Sequence, residues 1–162
     1  MTQTIKVGDT IPAMKLMTAT ASGPQEVSTD ELFKGKKVVL FAVPGAFTPT
    51  CSAKHLPGFV QNAAAFKAKG VDTIVCMAVN DAFVMGAWGK DQNVEDTIVM
   101  LADGSAAFTK SLGLELDLTA RGLGTRSQRF AMVVDDNKVT NLMIEAPGGF
   151  DVSRAEAVLA AV

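Results

Sequence analysis

The chain has 162 residues, with 15 Lys and Arg against 17 Asp and Glu, a formal charge of −2, 48% hydrophobic residues, two cysteines and one histidine. That length suits one domain, 1–162, able to bury a sizeable core without disulfide staples, and the balanced charge leaves no basic stripe for nucleic acid phosphates. The longest uncharged stretch, Val38 to Ala53, is broken by Pro44 and Gly45 and falls short of the roughly 20 apolar residues a spanning helix needs, so no membrane partner is expected.

The leading MTQTIKVGDT has no basic region followed by an apolar one, which predicts a cytoplasmic protein. Ile11 to Thr18 reads as a strand, and Ser28-Thr29-Asp30-Glu31 as the start of a short helix ending at Gly35. Lys37 to Val43 is an apolar, β-branched run closed by Pro44-Gly45, a strand covered on both faces. Pro49 to Lys69 has apolar residues at helical spacing and stops at Gly70. Val71 to Val79 and Thr97 to Leu101 are further buried strands; a helix opened by Asp81 runs through Gly86 and Trp88, and another covers Ala106 to Leu112 before Gly113. Phe130 to Val134, the turn Asp135-Asp136-Asn137 and Lys138 to Ile144 form a hairpin. Ser153 to Val162 closes the chain as a helix, with Ser153 as cap and Glu156 completing a capping box. Alternating strands and helices predict an α/β fold: a central mixed sheet, with a parallel core and an antiparallel hairpin, flanked by helices.

The chemistry concentrates in Pro44-Gly45-Ala46-Phe47-Thr48-Pro49-Thr50-Cys51, between the first buried strand and the first long helix. Thr48 before Pro49 is a helix start, with Thr as N-cap and Pro at the first helical position, so Cys51 falls in the first turn. Free backbone N–H groups and the positive end of the helix dipole favour a thiolate there and make the sulfur nucleophilic. Two cysteines and one histidine cannot build a four-ligand zinc site, so any special role for Cys51 is chemical. Cys76, inside an apolar strand, reads as structural. His55 stands four residues after Cys51, which leaves open a cysteine-hydrolase dyad beside the blander reading of a packed, hydrogen-bonded histidine. Gly122 and Gly124 form a G-x-G with no strand before it, so a dinucleotide fingerprint is not supported.

Pro44, Thr48 and Cys51 fill the P-x-x-x-[TS]-x-x-C pattern of peroxiredoxins, and PGAFTPTCSAKHLPGF resembles the type II (type 5-like) branch. VDTIVCMAVNDAFVMGAWGK (71 to 90) and GTRSQRFAMVVDDNKV (124 to 139) resemble it too, so the likeness spans nearly the whole chain in order. It implies a thioredoxin-like fold and a thiol peroxidase that needs no metal, haem or flavin, reducing hydrogen peroxide and organic hydroperoxides through a Cys51 sulfenic acid. Arg129, in RSQRF, stands where the family carries the arginine that stabilises thiolate and oxyanion; Arg126 and Arg121 are ranked behind it, Arg126 as a loop holder and Arg121 as a solvated charge.

The same resemblance makes Thr48 a hydrogen-bond partner of sulfur and peroxide, Pro44 a shield against water, and Gly45, Phe47 and nearby backbone N–H groups the substrate-binding wall. Branch members that resolve within one chain carry a further cysteine near the C-terminus. The corresponding Gly148 to Ser153 holds none, which implies a one-cysteine cycle completed by an external thiol: glutathione with glutaredoxin first, thioredoxin second. A homodimer is implied as well, with Phe47, Phe83 and Trp88 as residues to watch for pocket or self-association surface. The competing class is a redox-sensing binding module or holdase switched by Cys51 oxidation.

Overall fold

The computed structural model describes residues 4–162; residues 1–3, and with them part of the leading segment read above, lie outside the described residues. In chain order the elements are β1 (Lys15–Thr20), β2 (Gly23–Ser28), α1 (Thr29–Phe33), β3 (Lys37–Val43), a π-helical turn (Cys51–His55), α2 (Leu56–Gln61), α3 (Ala63–Ala68), β4 (Thr73–Ala78) and α4 (Ala82–Asp91). There follow β5 (Val99–Ala102), α5 (Ala107–Ser111), β6 (Glu115–Leu118), a 3-10 turn (Thr119–Arg121), β7 (Gly124–Ser127), β8 (Phe130–Asp135), β9 (Lys138–Ile144) and α6 (Ala155–Ala161).

Seven strands form one mixed sheet in the order β2-β1-β5-β4-β3-β8-β9. Its centre is parallel, β3 beside β4 beside β5, while β1 and β8 join antiparallel on either side. Because side chains alternate across a strand, the apolar run of β3 supplies both faces. Val39, Phe41 and Val43 meet Leu56, Phe59, Phe66, Met85, Trp88 and Val158 from the helices on one side. Val38, Leu40 and Ala42 meet Phe33, Phe108 and Leu112 on the other. This is the thioredoxin-like arrangement expected, with the parallel strand ends pointing at the loop that carries Cys51.

The differences from the expected elements have local causes. The first strand begins at Lys15, not Ile11: Pro12 cannot donate to a ladder, and Ile11 instead anchors the segment by its N–H to Asn137 O at 2.9 Å. β2 opens Gly-Pro and is polar, and no element is expected over it, yet it pairs with β1 over six registered residues. The short β6 and β7 form a separate two-stranded sheet; β6 alternates Glu-Leu-Asp-Leu over only four residues and β7 carries no apolar side chain. At α1 the helix start is as read, Ser28 Oγ accepting from Glu31 N–H at 3.1 Å. At the terminal helix it is not. Arg154 holds the N-cap position without a side-chain bond, and Ser153, one residue before it, is turned to Glu145, to which its hydroxyl donates at 2.7 Å.

Candidate active site

Past the end of β3 the chain turns through Pro44 to Thr48. Ala46 N–H donates to Asn80 Oδ1 at 3.0 Å, tying the turn to the end of β4, and Phe47 takes a left-handed φ of 62° that exposes its ring. Thr48 opens the helix through its main chain, its carbonyl accepting from Ser52 N–H at 2.9 Å. Its hydroxyl does not cap, however. It donates to Gly45 O at 2.6 Å, so its proton is committed to that carbonyl rather than to the sulfur, and its lone pairs remain for an incoming O–H.

The single long helix expected over Pro49 to Lys69 is divided. Pro57 lacks the N–H that would bond Ala53 O, and its ring crowds the preceding turn. The helix widens there, and Leu56 N–H reaches back five residues to Cys51 O. Such π-turns recur at functional sites. Here the turn carries both Cys51 and His55 inward, and both are buried. A second break falls at Asn62, whose Nδ2 donates to Gly58 O at 2.8 Å.

Onto this turn comes Arg129, from the segment just before β8. Its Nη2 donates to Cys51 Sγ at 3.1 Å, and its Nη1 lies 2.7 Å from His55 Nδ1. A guanidinium has no acceptor, so Nδ1 accepts, and the His55 proton sits on Nε2 and donates to Ser153 O at 3.0 Å. Burial, reinforced by the Arg129 charge and only partly offset by Ser153 and Glu145, lowers the His55 pKa to about 3. The imidazole is neutral at working pH. Phe150 closes over both groups, edge-on to His55 at 5.1 Å and 5.8 Å from the Arg129 guanidinium carbon.

Behind His55 lies Glu145. Its Oε2 accepts from Asp151 N–H at 2.7 Å, Ser153 N–H at 2.8 Å and Ser153 Oγ–H at 2.7 Å. Burial alone would raise this carboxyl, but those donors outweigh it and hold it below the ordinary carboxylate range. Arg126 braces the active loop, Nε donating to Leu123 O at 2.9 Å and Nη1 to Pro44 O at 3.4 Å.

A cleft of about 560 Å³ opens beside the turn, with Pro44, Thr50, Arg129, Leu116, Leu118 and Arg121 among its lining residues. Neither Gly45 nor Phe47, expected to bind substrate, is on that wall. Gly45 serves instead through its carbonyl and its close fit against Arg126 and Thr48. Trp88, expected as a pocket or surface residue, is fully buried, and its Nε1–H donates to Ser52 Oγ at 2.9 Å. Phe83 is 75% exposed.

Both His55 nitrogens are engaged away from Cys51, so the pair does not form a hydrolase dyad. Burial pushes the Cys76 thiol well above its ordinary range, the neighbouring Cys51 adding to the effect and Arg129 opposing it. Among the described residues no His, Cys, Asp or Glu cluster is placed to hold a metal, and no helix is long and apolar enough to cross a membrane. Glu145, Ser153 and Phe150 were missed from sequence, since each acts through a contact that no local spacing announces.

The redoxin family model matches residues 6–159. Peroxiredoxin-2C of Oryza sativa subsp. japonica is 52% identical and peroxiredoxin-2B of Arabidopsis thaliana 50% identical, each over 159 residues that cover 98% of both chains. The chain belongs to the type II branch of the peroxiredoxins. Reduced Prx3 of Vibrio vulnificus, solved in complex with hydrogen peroxide, superposes on this peroxiredoxin with a TM-score of 0.92 at 57% identity, covering 97% of this chain and 98% of that one. As a peroxiredoxin the protein is a thiol peroxidase with an antioxidant role.

Proposed function

We propose that Cys51 is the nucleophile and that this peroxiredoxin runs a one-cysteine cycle on hydrogen peroxide and organic hydroperoxides. The observation that carries the assignment is Arg129 Nη2 at 3.1 Å from Cys51 Sγ: a permanent cation with fixed donors stabilises the thiolate before attack and the departing oxygen during it. The thiolate attacks one peroxide oxygen, an S–O bond forms as the O–O bond breaks, and the leaving oxygen takes a proton to depart as water or alcohol. Thr48 accepts from the peroxide O–H, and Pro44 covers the sulfur from bulk water. The apolar side of the cleft, Leu116 and Leu118, takes an organic tail.

The sulfenic acid left on Cys51 is then attacked by an external thiol, forming a mixed disulfide and water; a second thiol releases Cys51. Glutathione with glutaredoxin is the proposed reductant and thioredoxin the second choice, because the Gly148 to Ser153 segment holds no cysteine and Cys76 is buried with a raised pKa. A homodimer in the cytoplasm is proposed as the working form, with the exposed Phe47 and Phe83 as its contacts; sedimentation of the wild-type and Phe83→Ser proteins tests the pairing.

Peroxide consumption with glutathione and glutaredoxin tests the cycle. Cys51→Ser should abolish it and Cys76→Ser should leave turnover largely intact; an equally dead Cys76→Ser protein that is still folded would overturn the one-cysteine account. An oxidised form that neither glutathione nor thioredoxin reduces would point instead to the redox-sensing module.

A further inference from the structure

Among the described residues Arg129 has no carboxylate partner. The ion pairs among the described residues are Lys15 with Glu26 and Lys34 with Asp30, both at the surface. The guanidinium is held instead by a neutral imidazole nitrogen at 2.7 Å. This difference matters for the reaction. A carboxylate in the same place would orient the arginine but neutralise the charge that the sulfur needs, and in a buried site that loss is large. A neutral acceptor fixes the same geometry and leaves the charge on Nη2.

The device works only if Nδ1 presents a lone pair, which requires the proton on Nε2. Ser153 O, 3.0 Å away, is the acceptor that selects this tautomer. Ser153 is in turn held at both its N–H and its hydroxyl by Glu145, so the negative charge of the chain sits one residue behind the imidazole rather than on the arginine. His55 and Ser153 are fully buried and Glu145 nearly so, where satisfied hydrogen bonds rigidify one another.

We infer that His55, backed by Ser153 and Glu145, is a positioning residue that aims Arg129 at Cys51 without neutralising it. The inference rests on Arg129 acting on Cys51 as proposed above. The decisive measurement is the rate of Cys51 oxidation by hydrogen peroxide in rapid mixing, for wild type, His55→Leu, His55→Gln, Arg129→Lys and the double variant His55→Leu with Arg129→Lys, with thermal unfolding as the check on folding. His55→Leu should slow oxidation roughly 10- to 100-fold, less than the roughly 100- to 1000-fold of deleting an aligned donor outright because Arg129 remains, and His55→Gln, a neutral acceptor, should recover most of that.

Acting through Arg129, the loss should vanish in the double variant, which should be no slower than Arg129→Lys alone. A folded His55→Leu protein with the wild-type rate, or losses that multiply in the double variant, overturns the inference. If Arg129→Lys itself oxidises at the wild-type rate, the Arg129 assignment falls, and this inference with it. Should His55→Leu fail to fold, Glu145→Gln takes its place: a several-fold loss that disappears in the Arg129→Lys background supports the chain, and a loss that persists there overturns it.

Discussion

Trp88 Nε1 donates to Ser52 Oγ at 2.9 Å, joining α4 to the residue that follows Cys51. Trp88 is the only tryptophan in the sequence and is fully buried, so its emission is sensitive to changes at this contact. Oxidation adds an oxygen to a sulfur that has no exposed surface, and the π-turn must adjust around it. Addition of peroxide should therefore change the intrinsic fluorescence at the same rate as Cys51 sulfenic acid appears by mass spectrometry. The change should be absent in Cys51→Ser and reduced in Ser52→Ala. Equal signals in wild type and Cys51→Ser would show that the indole does not sense the site.

Gly45 provides a second test. A Cβ built there would lie 2.9 Å from Arg126 Nη1 and 3.2 Å from Thr48 Cγ2. The arginine tip can swing away, but the Thr48 methyl belongs to a turn fixed by the 2.6 Å bond from Thr48 to Gly45 O. Gly45→Ala should thus cost on the order of 1 kcal/mol of stability and slow peroxide oxidation more than that small loss suggests, because Thr48 and the Arg126–Pro44 contact shift together. Stopped-flow oxidation set beside urea unfolding separates the two effects; an unchanged rate would mean the loop relaxes without disturbing Thr48.

How far the chain could be read in advance differs between these regions for physical reasons. β3 was legible because six buried residues in a row carry their own signal, and Cys51 because Thr48-Pro49 marks a helix start whatever follows. The π-turn was half legible: Pro57 announces a distortion, but whether the helix kinks, ends or widens depends on what packs against it. The Glu145–Ser153–His55 chain was not legible at all. It joins residues up to 98 positions apart, and Ser153, placed three residues before Glu156, imitates a capping box that tertiary contact overrides. β6 and β7 gave too little signal, because the Glu-Leu-Asp-Leu alternation of β6 runs for only four residues and β7 has no apolar side chain.

Cys76 lies in the same apolar core cluster as Cys51. Cys76→Ser should lower stability by roughly 1–3 kcal/mol, the cost of an unsatisfied buried hydroxyl, whereas Cys76→Ala should be milder at the midpoint of urea unfolding. Both should keep peroxidase turnover at temperatures well below unfolding. In native protein near neutral pH, iodoacetamide should leave Cys76 unmodified, since its thiol is raised well above the ordinary range and only the thiolate reacts. Modification of Cys76 in the native protein would refute its structural role.

His55 makes the folded state acid-sensitive in a window of its own. Its pKa is about 3 when folded against 6.5 ordinarily, so between those values the unfolded chain binds a proton that the native protein refuses. Stability from this group is complete above about pH 6.5 and is lost as the pH falls toward 3. Glu145, held below its ordinary 4.5, likewise stabilises only while ionised, but its loss begins lower. Between about pH 7 and pH 5, then, His55 dominates, and wild type should lose about 2 kcal/mol across that interval by urea unfolding. His55→Gln, which cannot take up the proton, should show a much flatter profile there and rejoin the wild-type trend only where carboxylates titrate. Parallel profiles for the two proteins would mean that the imidazole is not kept neutral, and that Arg129 is anchored by something other than its lone pair.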